Sequence, residues 1–288
     1  MKRNLTIVGL TVGGIFALIG LAFTAVFIGM QFGVFNVKGS IIERNSFFTG
    51  GKSADQTLAP APPAKPCVDE SATVCNWNET PEWVVVSGGL SKDSSIIHKV
   101  AGETNVSARL IASVVVPEQI RFFTSEREIF KRYFEPLKIL GSLSQFSLGV
   151  SGIKQETANQ IEQYANDPAS PFYPGDSYAA LIAYAPGANH DTELYNRLTD
   201  AKNHYYSYLY TAIYLKEIEA QWSRAGFPVE NKPEVVGTLF NIGFQASSPK
   251  ADPKTAGATI TTGGKPYAFG QLGANFYNSL ELRTVFPL

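Results

Sequence analysis

Glu118 continues an apolar helical face. It follows Ile111-Ala-Ser-Val-Val-Val-Pro117 and falls four residues after Val114 and seven after Ile111, so helical periodicity sets it on the same stripe. Pro117 has no backbone N–H to donate, and the helix is expected to kink or end there. The carboxyl then sits at the edge of a hydrophobic core. Burial penalises the charged form of a carboxyl, and an acid kept protonated near neutral pH is what a glycosidase uses as general acid. The same residues also suit a structural carboxylate paired with Arg109 or Arg121, or one turned to solvent.

The second stretch with chemical potential is Ser147-Leu-Gly-Val-Ser-Gly-Ile-Lys-Gln-Glu-Thr-Ala158. Ser147, Gly149, Ser151 and Gly152 are small, and glycines make a poor helix interior. They admit a backbone that passes close to a ligand or another chain segment; a tight turn before a helix is the alternative. Gly149-Val150-Ser151-Gly152 is not a nucleophile elbow, because its last glycine comes one position early. Gly51-Lys52-Ser53 is not a phosphate loop, since Ser46 stands where the first glycine belongs. His98, His190 and His204 are scattered without ligand spacing and read as surface or core residues. No metal and no cofactor is expected. Cys67 and Cys75, the only cysteines, make a poor zinc site alone. They read as a disulfide in an oxidising compartment, with two free thiols as the alternative.

The elements that must position these residues are helical. Val106–Pro117 has an apolar helical period, Glu128–Leu140 is a further helix interrupted by Pro136, and Gln155–Ala165 is a short amphipathic helix. The clearest helix is predicted from Thr199 to Arg224, with Asp200 capping its start and Gly226 its end. Its ladder of Tyr206, Tyr210, Tyr214, Ile218 and Trp222 reads as core. Trp83–Val86 reads as a short strand or core-facing coil, and Val235–Gly243 as another apolar run. Gly- and Pro-rich turns and strand-like pieces follow to Leu288. Within them Tyr267, Phe269, Phe276 and Tyr277 are expected to cover the core rather than wall a cleft.

Composition sets the compartment. With 24 basic and 25 acidic residues, bulk charge offers nothing for nucleic acid. No charged residue occurs between Leu5 and Val37, and Leu5–Met30 exceeds the roughly 20 residues a membrane-spanning helix needs. Lys2 and Arg3 precede it and favour a cytoplasmic N-terminus. The expectation is a single-pass anchor in the cytoplasmic membrane over residues 1–38, favoured over a cleaved signal peptide because the apolar core is too long for one. Residues 39–66, rich in Gly and Pro, form a linker. Residues 67–288 form the domain, periplasmic or extracellular.

Three segments in order resemble the lytic transglycosylases with a goose-lysozyme-like fold. The first is the apolar helix ending in Glu118. The second, Gly149-Val-Ser-Gly-Ile-Lys-Gln-Glu-Thr157-Ala158, stands where the family has Gly-Leu-Met-Gln-Ile-Met-Pro-x-Thr-Ala. The third, Leu239-Phe240-Asn241-Ile242-Gly243, is similar to Ala-Tyr-Asn-x-Gly and follows Tyr214-Leu-Lys-Glu217, which resembles the family's preceding helix. The match covers residues 91–250. Gln119 stands for the family's usual Ser, Gly152 for its Gln and Phe240 for its Tyr, so a hydroxyl that could bond near the acid is missing.

The resemblance implies a mainly α, lysozyme-like helical domain, joined here to an N-terminal transmembrane helix and an irregular C-terminal extension. It implies peptidoglycan glycan strands as substrate, Glu118 as the single acid/base, and Ser147, Gly149, Ser151, Gly152, Phe240, Asn241 and Gly243 as substrate-binding residues. Further expected partners are the membrane, through the N-terminal helix, and proteins of the cell envelope. No second catalytic carboxylate is singled out among Glu126, Glu128 and Glu135. A silent lysozyme-like domain that binds peptidoglycan or protein, and an unrelated helical scaffold, remain as alternatives.

Overall fold

The computed structural model describes residues 74–124, 147–200 and 202–288. The expected anchor and linker, Cys67 and the helix expected over Glu128–Leu140 lie outside the described residues. Among the described residues no helix is long and apolar enough to cross a membrane.

Thr80 starts the first long helix, α1 (Pro81–Lys92): its hydroxyl accepts from the Trp83 N–H, and Pro81 stands at the first position, where a missing N–H costs nothing. The run Trp83–Val86 is therefore helix rather than strand or coil. Asp93 ends α1 and opens α2 (Ser94–Thr104), which stops at Asn105 in the left-handed region, with φ of 53°. Next comes α3 (Ala108–Thr124), which carries Glu118 and runs on through Pro117. Of the two outcomes expected at the proline, a kink or an end, the helix does not end there.

A two-stranded hairpin follows, β1 (Ser147–Leu148) paired antiparallel with β2 (Ile153–Lys154), and β2 leads directly into α4 (Gln155–Ala165). After the short α5 (Ser177–Leu181) come α6 (His190–Thr199) and α7 (Tyr205–Arg224). The helix expected from Thr199 begins instead at Tyr205, and Thr199 is the last residue of α6. Asp200 caps the C-terminal end of α6, and its side chain accepts from the N–H groups of Lys202 and Asn203, a local turn that competes with helix. Gly226 does end α7: its φ is 83°, and the Phe227 N–H reaches back to the Trp222 carbonyl at 2.9 Å, the usual glycine-terminated finish.

α7 is the axis of the molecule. Tyr208, Leu209, Tyr210, Ile213, Tyr214, Leu215, Ile218 and Trp222 are all buried, and α2, α3, α4, α6 and α8 (Pro233–Ile242) pack around it. Buried residues fall on successive positions of α7 and not on a single stripe, as in a helix enclosed by its neighbours. The C-terminal region holds the hairpin of β3 (Thr259–Thr262) and β4 (Lys265–Ala268) and then α9 (Phe269–Asn278), a helix where turns and strand-like pieces are expected. Gly263 and Gly264, both at positive φ, make the two-residue turn that suits a twisted hairpin. The Cys75 N–H donates to the Gly263 carbonyl at 2.7 Å, tying the start of the domain to that turn. Cys75 is disulfide-bonded; Cys67 is the chain's only other cysteine. Phe269 and Phe276 are core residues, Tyr267 and Tyr277 pack against the core, and α9 contacts both α3 and α8.

Glycines set how closely α9 approaches. A Cβ on Gly270 would collide with the Thr238 hydroxyl and the Glu234 carbonyl of α8, and one on Gly273 would lie 2.6 Å from the Ser113 carbonyl of α3. Ser113 is the residue whose carbonyl Pro117 cannot serve as helical donor. The proline and the glycine thus fall at the same crossing. Arg109, fully buried at the start of α3, binds the far end of α9: its guanidinium donates to the carbonyls of Phe276, Tyr277, Ser279, Glu281 and Phe286 at 2.6–3.1 Å. Cations are favoured at a helix C-terminus, where carbonyls lack intrahelical partners.

Candidate functional site

The hairpin between β1 and β2 is wedged between α3 and α7, and its glycines explain how it fits. Gly149 and Gly152 both have left-handed backbone, with φ of 63° and 64°. A Cβ on Gly152 would stand 2.7 Å from Glu118 Oε2 and 2.9 Å from its carboxyl carbon. The close approach anticipated for these glycines is therefore to the side chain of Glu118 itself. Next to it, the buried Gln119 donates its amide to the Val150 carbonyl and so clips the hairpin to α3.

Glu118 and Gly152 line a cleft of about 270 Å³, whose opposite wall is the C-terminal end of α8 and the turn after it: Phe240, Asn241, Ile242, Gly243, Phe244 and Gln245. Lys154, Glu156, Thr157 and Gln160, from β2 and α4, complete one side, and Tyr214 of α7 contributes to the lining. Five residues singled out in the sequence thus meet in one depression: Glu118, Gly152, Phe240, Asn241 and Gly243. Asn241 has a second task there, accepting from the Ala258 N–H at 2.8 Å and so holding the loop before β3 against α8.

The other three expected contacts are not brought to the lining. Gly149 abuts the Leu198 carbonyl and Ser207 hydroxyl, where α6 ends and α7 begins. Ser151 is fully buried and donates to the Ser207 carbonyl at 3.0 Å. Ser147 pairs with Lys154 in the hairpin. The small size of Gly149 and Ser151 serves hairpin packing against α7. The aromatic ladder of α7 is core, as expected, but Tyr214 belongs to core and cleft together. No signal in the ladder separated it from Tyr210. Glu126, Glu128 and Glu135 lie outside the described residues.

Charge in the cleft is mixed. Arg121, one turn after Glu118, holds Glu118 Oε2 at 2.5 Å, and the Glu118 side chain is 9% exposed. Of the two candidate partners, Arg109 is committed to α9 and Arg121 makes the pair. Glu156, exposed at the start of α4, is a second carboxyl on the lining. Glu217 on α7 is a buried acid off the cleft: neither carboxyl oxygen has a hydrogen-bond partner among the described residues, and burial pushes its pKa well up. Glu217 is absent from the lining, so the acids that can meet a ligand are Glu118, the more enclosed, and Glu156. Among the described residues no cluster of His, Cys, Asp and Glu could hold a metal ion. The arrangement offers a ligand one partly enclosed carboxyl together with polar, aromatic and backbone surface.

No protein-family model, curated protein or solved structure matches this chain.

Proposed function

We propose that this chain is a membrane-anchored peptidoglycan lytic transglycosylase with Glu118 as its single acid/base. One observation carries the reading: segments around residues 118, 152 and 240–243, which match that family's motifs in order, converge on one cleft. In the proposed step, protonated Glu118 gives its proton to the glycosidic oxygen between N-acetylmuramic acid and N-acetylglucosamine, and the bond from that oxygen to the muramoyl C1 breaks. The resulting carboxylate takes the proton of the muramoyl C6 hydroxyl as that oxygen bonds to C1. The acid is restored, no water is consumed, and the products end in a 1,6-anhydro sugar. One residue serves as acid and then as base. Leu5–Met30 would hold the domain outside the cytoplasmic membrane, with Lys2 and Arg3 inside. Cell-envelope proteins are candidate partners on the same reading.

The Arg121 pair favours a second reading, a glycan-binding domain without catalysis. A guanidinium attracts the ionised carboxylate and not the neutral acid, so the first reading requires an arriving strand to part the pair. Digestion of purified peptidoglycan by the full-length chain in detergent, with products read by mass spectrometry, separates the readings. Anhydro-muropeptides support the transglycosylase. Reducing-end products point to hydrolysis with Glu156 as second carboxyl. Binding without release supports the silent domain.

A further inference from the structure

The most exposed large aliphatic side chains among the described residues are Leu280, 85% exposed, Leu288, 67%, and Val74, 49%. Single exposed leucines are ordinary, whereas a group of them marks an interaction surface. These three belong to one end of the molecule. The Arg109 guanidinium gathers the carbonyls of Ser279, Glu281 and Phe286 within 3.1 Å of itself. The residues on either side of Leu280 therefore meet the segment that ends in Leu288. Asn78 Nδ2 donates to Glu281 Oε1 at 2.9 Å, which lays the start of the domain, four residues after Val74, against the same knot. The polypeptide thus enters the domain beside these leucines, and the segment expected to cross the membrane, Leu5–Met30, precedes that entry point. The knot also gathers positive charge. Burial lowers the Arg109 pKa, and the charge of Arg283 adds to it, so the two guanidiniums are neighbours. Arg109 donates to backbone carbonyls. The half-buried Arg283 side chain has neither ion pair nor hydrogen bond among the described residues.

We propose that this end of the domain rests on the surface of the membrane, with Leu280 and Leu288 entering the boundary between headgroups and acyl chains and the paired arginines drawing anionic headgroups to it. Apolar side chains beside basic charge are the combination that lies in a bilayer interface, about 5–10 Å deep, without crossing it. A cationic group close to anionic lipid gains an attraction that salt screens. Entry of the chain at the same end favours lipid as the occupant over a second protein, because a tether that arrives here holds this end nearest the bilayer. The docking would turn a loose tether into a fixed orientation of the domain. It rests on the membrane anchor of the proposed function and is independent of catalysis in the cleft.

The test reconstitutes the full-length chain into vesicles whose acyl chains carry bromine, which quenches tryptophan on contact at that depth. Trp77, Trp83 and Trp222 are buried and supply a constant background. Leu280→Trp keeps an apolar side chain at an exposed position, where substitutions cost little stability. In mixed phosphatidylcholine and phosphatidylglycerol, the emission added by Leu280→Trp is expected to fall by about half relative to the same lipids without bromine. Adding Arg283→Gln should lower the ratio of quenched to unquenched emission about fivefold, the effect of one basic residue near an anionic surface, and phosphatidylcholine alone should do the same. Added emission that bromine leaves untouched, from a chain that stays with the vesicles on flotation in high salt, overturns the docking and leaves the proposed function standing. Quenching that is equal with and without Arg283→Gln overturns the part given to charge. A chain that leaves the vesicles on flotation in high salt overturns both the docking and the membrane-anchored reading.

Discussion

At Gly152 two demands coincide. The backbone is left-handed, and a Cβ would press on the Glu118 carboxyl from 2.7 Å. Gly152→Ala is therefore strained by its backbone and also displaces Glu118. We expect a stability loss of about 1–2 kcal/mol and a fall in activity larger than that loss explains, near a hundredfold, since a misplacement of about 1 Å at a reacting group can cost that much. Chemical denaturation read beside peptidoglycan turnover checks both; full turnover with only a stability loss would show that Glu118 need not sit against this turn. At this scale the sequence was partly legible. The apolar spacing before Glu118 and the cluster of small residues marked two segments that line the cleft. Which small residue faces the acid was not legible, because Gly149, Ser151 and Gly152 differ only in which neighbour they press against. Tyr214 was hidden by its ladder: a tyrosine whose ring is core and whose edge is cleft has the same period as one that is core throughout.

Among elements, the hairpin, α3 and α8 carry the site, and α9 holds two of them in register. The fork of Arg109 onto five carbonyls near the end of α9 is the strongest of these ties. Burial, with Arg283 adding to it, lowers the Arg109 pKa, yet an arginine remains charged across the physiological range. Arg109→Lys keeps a charge but has three donors and no planar fork. It should cost about 3 kcal/mol or more, read as a shift of the denaturation midpoint. A change under about 0.5 kcal/mol would contradict the role given to this fork. α9 itself was not legible because Gly270 and Gly273 depress helix propensity, and their reason for being glycine lies in α8 and α3. The start of α7 falls later than expected for a related reason. Asp200 can cap a helix start or close a turn of its own, and only the neighbouring chain decides. By contrast Gln155–Ala165 was read to the residue, since a lone amphipathic stripe needs no tertiary information.

On the scale of the whole molecule, a polar staple opposes the aromatic core. Glu162 of α4 accepts from the hydroxyls of Tyr184 and Tyr210 and meets His190 Nε2, at the start of α6, at 2.6 Å. The hydrogen bond to Glu162, followed by that to Asp191, raises the His190 pKa. A histidine with a raised folded pKa contributes stability that is fully present below its unfolded value of about 6.5 and is lost as pH rises through the folded value. His190 is 45% exposed, so solvent screening keeps the contribution near 1 kcal/mol or less. His190→Gln should therefore destabilise at about pH 5.5 and leave stability unchanged at about pH 9, a difference that denaturation at the two pH values resolves; an equal loss at both would assign His190 a packing role. The mainly α class was legible from helical periods alone, and the convergence of residues 118, 152 and 240–243 was not, since nothing in one sequence states which segments meet.

The measurement closest to the central claim sets the full-length chain beside Glu118→Gln on purified peptidoglycan, with released fragments identified by mass spectrometry. Glutamine keeps the shape of the side chain and cannot pass a proton. The expected result is anhydro-muropeptides from the wild type and a loss of at least about a thousandfold in the variant, with both proteins unfolding cooperatively. Anhydro products released equally by Glu118→Gln would contradict the role given to Glu118, and a folded wild type that releases nothing would contradict catalysis in this cleft.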